Sequence, residues 1–531
     1  MLTQISLTAP NLALGTAVFL VLSVVYYLIQ YTRHELRIRK TGGVRAPVLA
    51  GNPITGTLWL LYCARAQMKH TLTEYFESMF SRAKPSHFGD IVELQVRPGQ
   101  RYLITRDPDH IKTILTSKFT SFGKGQQFHE LWRPFLGDSI FTTDGSLWHD
   151  SRSLIRPMFI KDRVSDLHTF ERWVGQDGLL GKIAEGGAGP VKEVELMDLL
   201  YRMTLDVTTD FLLGAAVGSL DNPRAEFAEA FNEVQSIQTY LTMLGPLESL
   251  IPRRRYHRGI RAIDRFVMPY IDAALALPHD ELEKLENSDR GFTFLHSIAR
   301  YTRDPRVLRD QIVAVLLAGR DTTAATLSWA FLELSRHPDA FQRLRREVID
   351  AVGRSRAPTY DDLKGMVYLR HVLNETLRLY PAVPYNLRTA LEDATLPNPA
   401  GGPGVGVVEG DTVVYSTFSM QRCPSLYPRI DDRGEPLPDP AVFAPERWEV
   451  WTPRAWNYVP FNGGPRICVG QNFALTEMAY CVVRILQKYD RLEYCGDWDA
   501  QFHEAEIVGR PGKGVRVRLW EEHVQIAGEE K

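Results

Sequence analysis

The sequence predicts a mainly α-helical protein with small β-sheets, an α+β fold class, preceded by one N-terminal transmembrane helix. Helical periodicity dominates from about residue 130 to residue 379. An apolar run with the length of a bilayer core occupies Leu12–Tyr31. Short runs typical of strands lie at Ile91–Val96, Tyr102–Ile104, Thr412–Tyr415 and Gly514–Leu519.

The run Leu12–Tyr31 predicts a membrane anchor within residues 1–33. No charged residue precedes Arg33, and about 20 apolar residues span a bilayer core as a helix. A cleaved signal peptide is the alternative, but its basic n-region and small-residue cleavage pattern are missing. The charged residues that follow, up to Lys40, are basic apart from Glu35, and positive charge favours the cytosolic side. These basic residues are Arg33, Arg37, Arg39 and Lys40.

Residues 34–56 combine this basic collar with a segment rich in glycine and proline, Thr41–Gly56, which predicts a hinge. Residues 57–531 contain no repeat, no low-complexity tract and no second linker of that kind. A chain of 531 residues would suffice for about three average domains. Without a boundary in the sequence, we predict one large folded domain here.

Composition excludes several classes of protein. A hydrophobic content of 44% suits a large folded core. The 62 basic and 64 acidic residues leave a net charge of −2, which argues against nucleic-acid binding. The cysteines are odd in number and scattered without CxxC spacing, so neither a disulfide framework nor a zinc site is predicted. They are Cys63, Cys423, Cys468, Cys481 and Cys495.

The segment Val307–Arg336 combines an apolar helical run with residues that are unfavourable inside a helix. An apolar run, Ile312–Ala318, is followed by the sequence GRDTT, from Gly319 to Thr323. Arg320 and Asp321 would each cost ~3 kcal/mol in lipid, so the segment is predicted to be a core helix rather than a second span. Glycine costs about 1 kcal/mol in a helix, and hydroxyls compete for backbone groups. Such breaks of local rules indicate a functional site.

Cys468 lies between glycines, immediately before the helical run Gln471–Leu486. Backbone N–H groups and the positive end of a helix favour the thiolate over the thiol. A thiolate can be a nucleophile, which needs a histidine base, or a metal ligand, which needs an apolar pocket and cations. An inert buried cysteine is the third alternative.

The segment FNGGPRICVG, Phe461–Gly470, fits the F-x-x-G-x-R-x-C-x-G haem loop of the cytochrome P450 family at each defined position. From the anchor to about residue 520 the sequence resembles this family of haem-thiolate monooxygenases. The resemblance implies the cytochrome P450 fold, one haem-binding catalytic domain over residues 57–531, and haem b with Cys468 as its axial iron ligand. Phe461, Gly464, Arg466 and Gly470 would be the other haem-binding positions of the loop.

Glu375-Thr-Leu-Arg378 fits the E-x-x-R motif of the family, which places an acid and a base one helical turn apart. Such a motif alone has little value, because solvated helix pairs of this kind are common. Arg447, within Pro445–Trp448, stands at the usual place of a third member before the cysteine loop. The resemblance implies a buried triad, and since buried charges persist only when paired, its role would be folding and haem uptake.

The segment AGRDTT, Ala318–Thr323, resembles the A/G-G-x-D/E-T-T motif at which the family's central helix opens beside the iron. The resemblance implies two catalytic residues. Thr322 would donate a hydrogen bond to dioxygen, and Asp321 would relay protons for O–O cleavage. The thiolate would supply electron density from the opposite face.

Haem propionates need cations and hydrogen-bond donors. Trp148 and Arg152 fit the W-x-x-x-R motif of the family and share a helix face. Arg388 and Arg466 occupy two further positions that meet the propionates in this family, and guanidinium forks suit carboxylates. For Arg152 and Arg388, an ordinary surface charge is the alternative.

Several segments, among them Leu136–Arg152 and Val383–Pro397, resemble the fungal microsomal branch that hydroxylates alkanes and fatty acids. This implies NADPH- and O2-dependent hydroxylation of an unactivated C–H bond in a long-chain alkane, fatty acid or fatty-acyl-like chain, at the endoplasmic reticulum membrane. A tailoring oxidase of a polyketide, peptide or terpenoid pathway is the alternative. Ala318 stands where animal fatty-acid hydroxylases carry Glu, so no ester link to haem is expected. Arg510 is expected to lie in water rather than at a substrate carboxylate.

The resemblance also implies partners. The sequence shows no flavin or nicotinamide domain after the haem loop, so electrons are expected from a separate NADPH–cytochrome P450 reductase, with cytochrome b5 as a further candidate donor. The other expected partners are the membrane and a hydrophobic small molecule, without nucleic acid. An O2-independent isomerase or dehydratase is disfavoured by Asp321 and Thr322, and no residue supports a non-catalytic haem sensor.

Overall fold

A computed structural model describes residues 9–83, 89–97, 99–159, 167–186, 193–222, 226–287, 292–431 and 433–521. The chain divides into two compact units. The first unit consists of Met1–Tyr62, Ser78–Gly123 and Leu387–Tyr415, and the second of Cys63–Glu77, Lys124–Asn386 and Ser416–Lys531.

Helices outnumber strands in the described residues, and both are numbered here in chain order. The helices are α1 (Ala9–Lys40), α2 (Pro53–Met68), α3 (Leu72–Arg82), α4 (Pro108–Leu115), α5 (Gly125–Leu136), α6 (Gly145–Ile155), α7 (His168–Val174), α8 (Leu179–Gly186), α9 (Leu196–Leu213), α10 (Glu226–Leu244), α11 (Arg254–Ala276), α12 (His279–Asn287), α13 (Phe294–Tyr301), α14 (Pro305–Arg336), α15 (Pro338–Val352), α16 (Tyr360–Gly365), α17 (Val367–Leu379), α18 (Thr417–Gln421), α19 (Arg447–Val450) and α20 (Gln471–Lys488). The strands are β1 (Val48–Ala50), β2 (Ile91–Arg97), β3 (Gln100–Thr105), β4 (Phe122–Gly123), β5 (Val194–Glu195), β6 (Asn386–Ala390), β7 (Ala394–Leu396), β8 (Val405–Val407), β9 (Thr412–Tyr415), β10 (Tyr489–Tyr494), β11 (His503–Ala505), β12 (Gly509–Pro511) and β13 (Arg516–Glu521).

The first unit is built on a six-stranded sheet with the order β1-β2-β3-β9-β6-β4. β2 and β3 are antiparallel, whereas β3 and β9 run parallel, with Tyr102 opposite Thr412. Arg101 of β3 is fully buried but compensated, because it donates to Glu93 at 2.8 Å and to Asp411 at 2.7 Å. The strands predicted near residues 91, 102 and 412 are confirmed.

Helix α1 runs without interruption through both the predicted span and the predicted basic collar. Within the described residues, Leu12–Lys40 is long and apolar enough to cross a membrane, with a mean hydropathy of 2.3 in its most apolar stretch. In the predicted hinge, the amide of Val44 donates to the carbonyl of Gly404 at 2.9 Å and β1 pairs with β2. Parts of the predicted hinge are thus hydrogen-bonded to other residues of the first unit. The predicted domain boundaries at residues 33 and 56 stay predictions.

Helix α14 is the central element of the second unit and is buried along most of its 32 residues. It is continuous, so the expected opening of the helix at Gly319 is wrong for this structure. Gly319 instead allows α9 to approach closely, because a Cβ there would lie 2.9 Å from the Cγ2 of Thr208. The predicted helix was therefore correct in its extent, but its glycine serves packing.

Two small antiparallel sheets complete the second unit, with the orders β10-β13-β5 and β11-β12. The strand predicted at Gly514–Leu519 begins two residues later, because Gly514 has φ +69° and belongs to a turn. The predicted fold class, mainly helical with small sheets, is confirmed.

Candidate functional site

The segment Phe461–Gly470 folds back on itself directly before α20. Gly464 has φ +62°, a left-handed conformation that favours glycine. The amide of Cys468 donates to the carbonyl oxygen of Phe461 at 2.9 Å and closes the loop. The loop thereby presents the Cys468 thiol from a fixed backbone.

The side chain of Cys468 is accessible to solvent and yet set deep in the second unit. Burial raises the pKa of its thiol, whereas the Gly470 N–H and the positive charge of Arg152 favour the thiolate. Among the described residues, no group of three or more His, Cys, Asp or Glu side chains could hold a metal ion. The single thiolate donor of Cys468 fits a metal that brings most of its own ligands, as haem iron does.

Two arginines, one of them within the loop, and a tryptophan lie close together at this loop. Arg152 of α6 donates from Nη2 to the carbonyl of Ile467 at 2.8 Å. The guanidinium groups of Arg152 and Arg466 lie 5.8 Å and 4.8 Å from the ring centroid of Trp148. Arg466 also pairs with Asp144 at 2.6 Å. The structure thus brings together four of the predicted haem-site residues.

Arg388 belongs to β6 and to the first unit. It is 2% exposed, so the alternative of an ordinary surface charge is wrong for this residue. Its Nη1 donates to the carbonyl of Leu387 at 2.7 Å, and its guanidinium lies 5.7 Å from the centroid of Tyr415. Its contact with haem stays a prediction.

Asp321 and Thr322 lie in the middle of α14. The buried Asp321 carboxylate is 3.4 Å from Nη1 of Arg320, which also donates to Asn232 at 2.6 Å. Its Oδ1 atom is buried and has no hydrogen-bond donor among the described residues. The Thr322 hydroxyl donates to the carbonyl of Ala318 at 2.8 Å. The pair thus offers a carboxylate oxygen without a hydrogen-bond donor and a hydroxyl oxygen that can still accept hydrogen bonds.

Glu375, Arg378 and Arg447 are each at most 1% exposed and lie in contact. Arg378 binds both carboxylate oxygens of Glu375, at 2.7 Å and 2.8 Å, and Arg447 approaches at 3.5 Å. Burial disfavours the charged Arg378, but its bonds to Glu375 outweigh this and raise its pKa. The three side chains form a buried triad, and its role in haem uptake stays a prediction.

The segment Arg429–Pro440, which has no counterpart in the motifs, completes this triad. The carbonyls of Pro438 and Asp439 accept from Arg447 at 2.7 Å and 2.9 Å. The carbonyl of Pro440 accepts from Arg378 at 2.7 Å. The end of this segment therefore satisfies arginine donors that one carboxylate cannot.

Glu477 of α20 is a buried acid that the motifs do not indicate. It is 0% exposed, and burial raises its pKa to about 8, an effect that the Thr323 hydroxyl offsets only in part. Thr323 is on α14 beside the predicted catalytic pair. The available sequence signal was one acid within the apolar run Phe473–Tyr480.

Arg510 of β12 does not lie free in water, so that expectation is wrong. Its Nε donates to Oε2 of Glu504 at 2.7 Å, and Glu506 lies 3.9 Å from its Nη2. About a third of the side chain is exposed, at 34%. The guanidinium is therefore already neutralised by this hairpin.

Comparison with known proteins decides what these features belong to. Residues 53–514 match the family model described as Cytochrome P450. The chain belongs to the cytochrome P450 family. It is 41% identical to Cytochrome P450 monooxygenase pvhE of Talaromyces variabilis, with 97% of each chain covered. It is 38% identical to Cytochrome P450 52A13 of Debaryomyces hansenii, over 75% of this chain and 78% of that one.

Two further proteins extend the comparison. Cytochrome P450 52A1 of Candida tropicalis is 39% identical, over 73% of this chain and 72% of that one. The crystal structure of the cytochrome P450DA heme domain matches with a TM-score of 0.68 at 21% identity, covering 84% of this chain and 92% of that chain. At that identity the structural match shows the fold alone.

Membership confirms the predicted family and enzyme class. This P450 is a haem-thiolate monooxygenase that uses O2 and electrons from a redox partner on a hydrophobic substrate.

Proposed function

We propose that this P450 hydroxylates an unactivated C–H bond of a long-chain alkane, fatty acid or fatty-acyl-like chain. Electrons come from NADPH through the separate NADPH–cytochrome P450 reductase, with cytochrome b5 as a second candidate donor. The enzyme is held by α1 in the endoplasmic reticulum membrane, as a single-pass protein with its catalytic body in the cytosol. The apolar length of α1 and the basic residues at its end support this placement.

Haem b is the cofactor in this proposal. The single observation that carries it is the Cys468 thiol, held on a closed loop with the Gly470 amide and the Arg152 charge beside it. Cys468 would hold the haem iron through its thiolate, and Arg152, Trp148 and Arg466 would bind the propionates. Bound haem supplies oxygen activation, to which a thiolate ligand contributes electron density.

Asp321 and Thr322 handle protons in this scheme. The Asp321 carboxylate is held beside Arg320, and its Oδ1 is left without a donor among the described residues. The Thr322 hydroxyl donates to Ala318 and keeps its acceptor sites. A carboxylate and a hydroxyl are side chains that can each take part in proton transfer.

The substrate class is supported by what lies along α14 after Thr322. Ala325, Ala382 and Val508 form one buried apolar cluster, against which Ile507 packs. Small alanines and aliphatic side chains suit a methylene chain, since such contacts need no hydrogen-bond partners. Arg510 nearby in the hairpin is paired with Glu504 and does not offer a free charge.

The test is a product analysis with the full chain reconstituted with reductase and NADPH. Alkanes, fatty acids, fatty-acyl esters and polyketide-like acids of matched carbon number are supplied separately. We expect hydroxylated alkanes or acyl chains, and no product with Cys468→Ala protein. Turnover confined to the polyketide-like acids would overturn the proposed substrate class.

A tailoring oxidase of a polyketide, peptide or terpenoid pathway is the second candidate. The observation that favours it is the 41% identity with Cytochrome P450 monooxygenase pvhE, over almost the full length of both chains. The relatives named Cytochrome P450 52A13 and 52A1 are 38% and 39% identical over about three quarters of the chain. The same substrate panel separates the two candidates.

A further inference from the structure

The last two turns of α1, residues 34–40, pack into the first unit, whereas the apolar part of the helix does not. Residues 12–29 are exposed along almost their whole length. In contrast, the side chains of His34 and Ile38 are only 4% and 1% exposed. Residues four apart share a helix face, so one face of these turns belongs to the core of the first unit. The helix that carries the predicted span therefore continues directly into the folded body.

The imidazole of His34 joins a buried ion network. Its Nε2 lies 3.1 Å from Oδ1 of Asp411, a carboxylate that is 0% exposed. The guanidinium of Arg101 donates to Oδ2 of the same carboxylate, at 3.1 Å and 2.7 Å. Burial disfavours the Asp411 carboxylate, but Arg101 and then His34 outweigh this effect and hold its pKa below the ordinary value. Helix α1 thus contributes a hydrogen-bond donor to a fully buried charge of the first unit.

Arg37 makes a second polar contact with the first unit. It donates from Nε to Oδ2 of Asp393 and from Nη2 to Oε2 of Glu409, each at 3.1 Å. The amide of Glu409 also donates to Asp393 at 2.9 Å, so the three residues are bound to one another. Arg37 is 41% exposed, and a partly exposed ion pair contributes little by itself. Here it adds to the buried contact of His34, one helical turn earlier.

Two glycines allow the end of α1 to lie directly against β8. A Cβ on Gly406 would lie 2.7 Å from Oγ1 of Thr41, and a Cβ on Gly43 would lie 2.5 Å from the amide nitrogen of Gly406. The amide of Gly406 donates to the carbonyl of Val44 at 2.9 Å. The chain after the helix is therefore held by backbone contacts at the place where a hinge would need to bend.

The helix between the span and these contacts is stiff. Sharp kinks in helices occur mostly at proline or glycine, and residues 16–40 contain neither. α1 is one helix from Ala9 to Lys40. A change in the tilt of the span relative to the six-stranded sheet would therefore require the last two turns of α1 to leave the first unit.

We propose that residues 34–40 lock the membrane span and the first unit into one rigid body, so that this unit keeps a single tilt and a single distance relative to the span. The contacts of His34, Arg37 and Ile38 form the lock, in place of the hinge that Thr41–Gly56 predicts. The inference rests on the proposed role of α1 as the membrane anchor and does not depend on the proposed substrate.

The experiment measures the distance between two nitroxide labels by pulsed electron paramagnetic resonance, with the full chain in phosphatidylcholine nanodiscs. The labels replace Leu22 in the span and Lys112 of α4, an exposed residue of the first unit. Azido amino acids carry them, so that Cys468 stays unlabelled. Leu22 lies about 28 Å along the helix from Thr41, so a hinge that bends by about 30° would move it by about 15 Å. We expect a single distance whose spread is less than about a third of that movement.

Two triple variants test the lock itself. The first removes the docked side chains and carries His34→Ala, Arg37→Ala and Ile38→Ala. Its distance distribution should be about threefold broader, while the sheet stays folded because Asp411 keeps both bonds from Arg101. The matched control removes exposed side chains of similar type from the same part of the helix and carries Thr32→Ala, Arg33→Ala and Leu36→Ala. It should keep the native distribution. Circular dichroism and haem content show that both variants are folded.

Three results would overturn the proposal. One is a native distribution as broad as the movement of a hinge, and this result decides even if the first variant does not fold. Another is a native distribution in the first variant. A third is a control that broadens as much as the first variant, which would assign the effect to lost charge.

Failure of the anchor itself would appear in a different measurement. A label at Leu22 that is open to a water-soluble nickel relaxation agent would contradict the membrane placement of α1. The distance distributions would still decide whether residues 34–40 lock the helix to the first unit.

Discussion

The substitution Glu375→Gln should show how strongly the buried triad stabilises the fold. The Oε1 atom of Glu375 accepts from Arg378 at 2.8 Å, from Arg447 at 3.5 Å and from the amide of Ala444 at 3.0 Å. The Oε2 atom accepts from Arg378 at 2.7 Å and from the indole of Trp448 at 3.0 Å. Glutamine keeps the shape but turns one acceptor into a donor and removes the charge.

The expected cost follows from burial. Both arginines are 1% exposed, so neither can regain water when the carboxylate is lost. Removing one partner of a buried ion pair costs about 3–5 kcal/mol, since it leaves uncompensated charge behind. Typical proteins unfold at a cost of only about 5–15 kcal/mol. The carbonyls of Pro438, Asp439 and Pro440 keep the outer arginine donors satisfied, so the loss falls on the charge and on the donors that face the lost acceptor.

The assay is denaturant unfolding followed by circular dichroism, together with haem content per chain. The matched control is Asp280→Asn, because Lys284–Asp280 is also an ion pair within a helix, but with side chains 77% and 70% exposed. That change should cost at most about 0.5 kcal/mol. If Glu375→Gln costs no more than Asp280→Asn, the triad does not stabilise the fold in the way argued.

Three further predictions follow from the site. Cys468→Ala should abolish the thiolate-type Soret band of the reduced carbon monoxide complex, whereas Cys481→Ala, at a buried cysteine, should keep it; an unchanged band in Cys468→Ala would refute the ligand. Thr322→Ala should retain haem but divert NADPH electrons to peroxide, while Thr326→Ala should not; undiminished product per NADPH in Thr322→Ala would remove its proposed role. Because the pKa of Glu477 is about 8 and lies above its ordinary value of 4.5, the folded chain holds a proton that the unfolded chain releases between these values. Its free energy of unfolding should fall by ~4 kcal/mol from pH 4.5 to pH 8, and Glu477→Gln should flatten this slope in denaturant titrations; an unchanged slope would contradict the buried acid.

The periodicity of the sequence predicted the extent of the secondary-structure elements well, but it did not predict what packs against them. The segment Val307–Arg336 has the apolar content of a core helix, and α14 extends it by only two residues. The resemblance to the family's motif implied an opening of this helix at Gly319, and glycine is unfavourable in helices. The helix is nevertheless continuous, and the glycine is explained by Thr208 of the neighbouring α9, which occupies the space that a side chain would need. A sequence shows which faces are buried, but it does not show what lies against them.

The residues of the candidate site fall into the same two groups, those that the sequence predicted and those whose surroundings it did not show. The residues around Cys468 form a continuous motif, and Arg152 and Trp148 lie one helical turn apart, so the resemblance to the family's motifs grouped them. Glu477 had no motif, because its significance comes from burial between helices far apart in sequence. Arg510 was expected in water because its segment is charged, whereas the antiparallel pairing of β11 and β12 places it directly opposite Glu504.

The pairing of Arg510 bears on which substrates the enzyme prefers. A substrate carboxylate that reached Arg510 would have to replace Glu504, which is 16% exposed and 2.7 Å away. That exchange substitutes one carboxylate for another and leaves Glu504 half-buried without its partner, which carries a penalty of its own. Free acids should therefore gain nothing from Arg510, and neutral chains such as alkanes or acyl esters should bind at least as tightly as fatty acids of the same length.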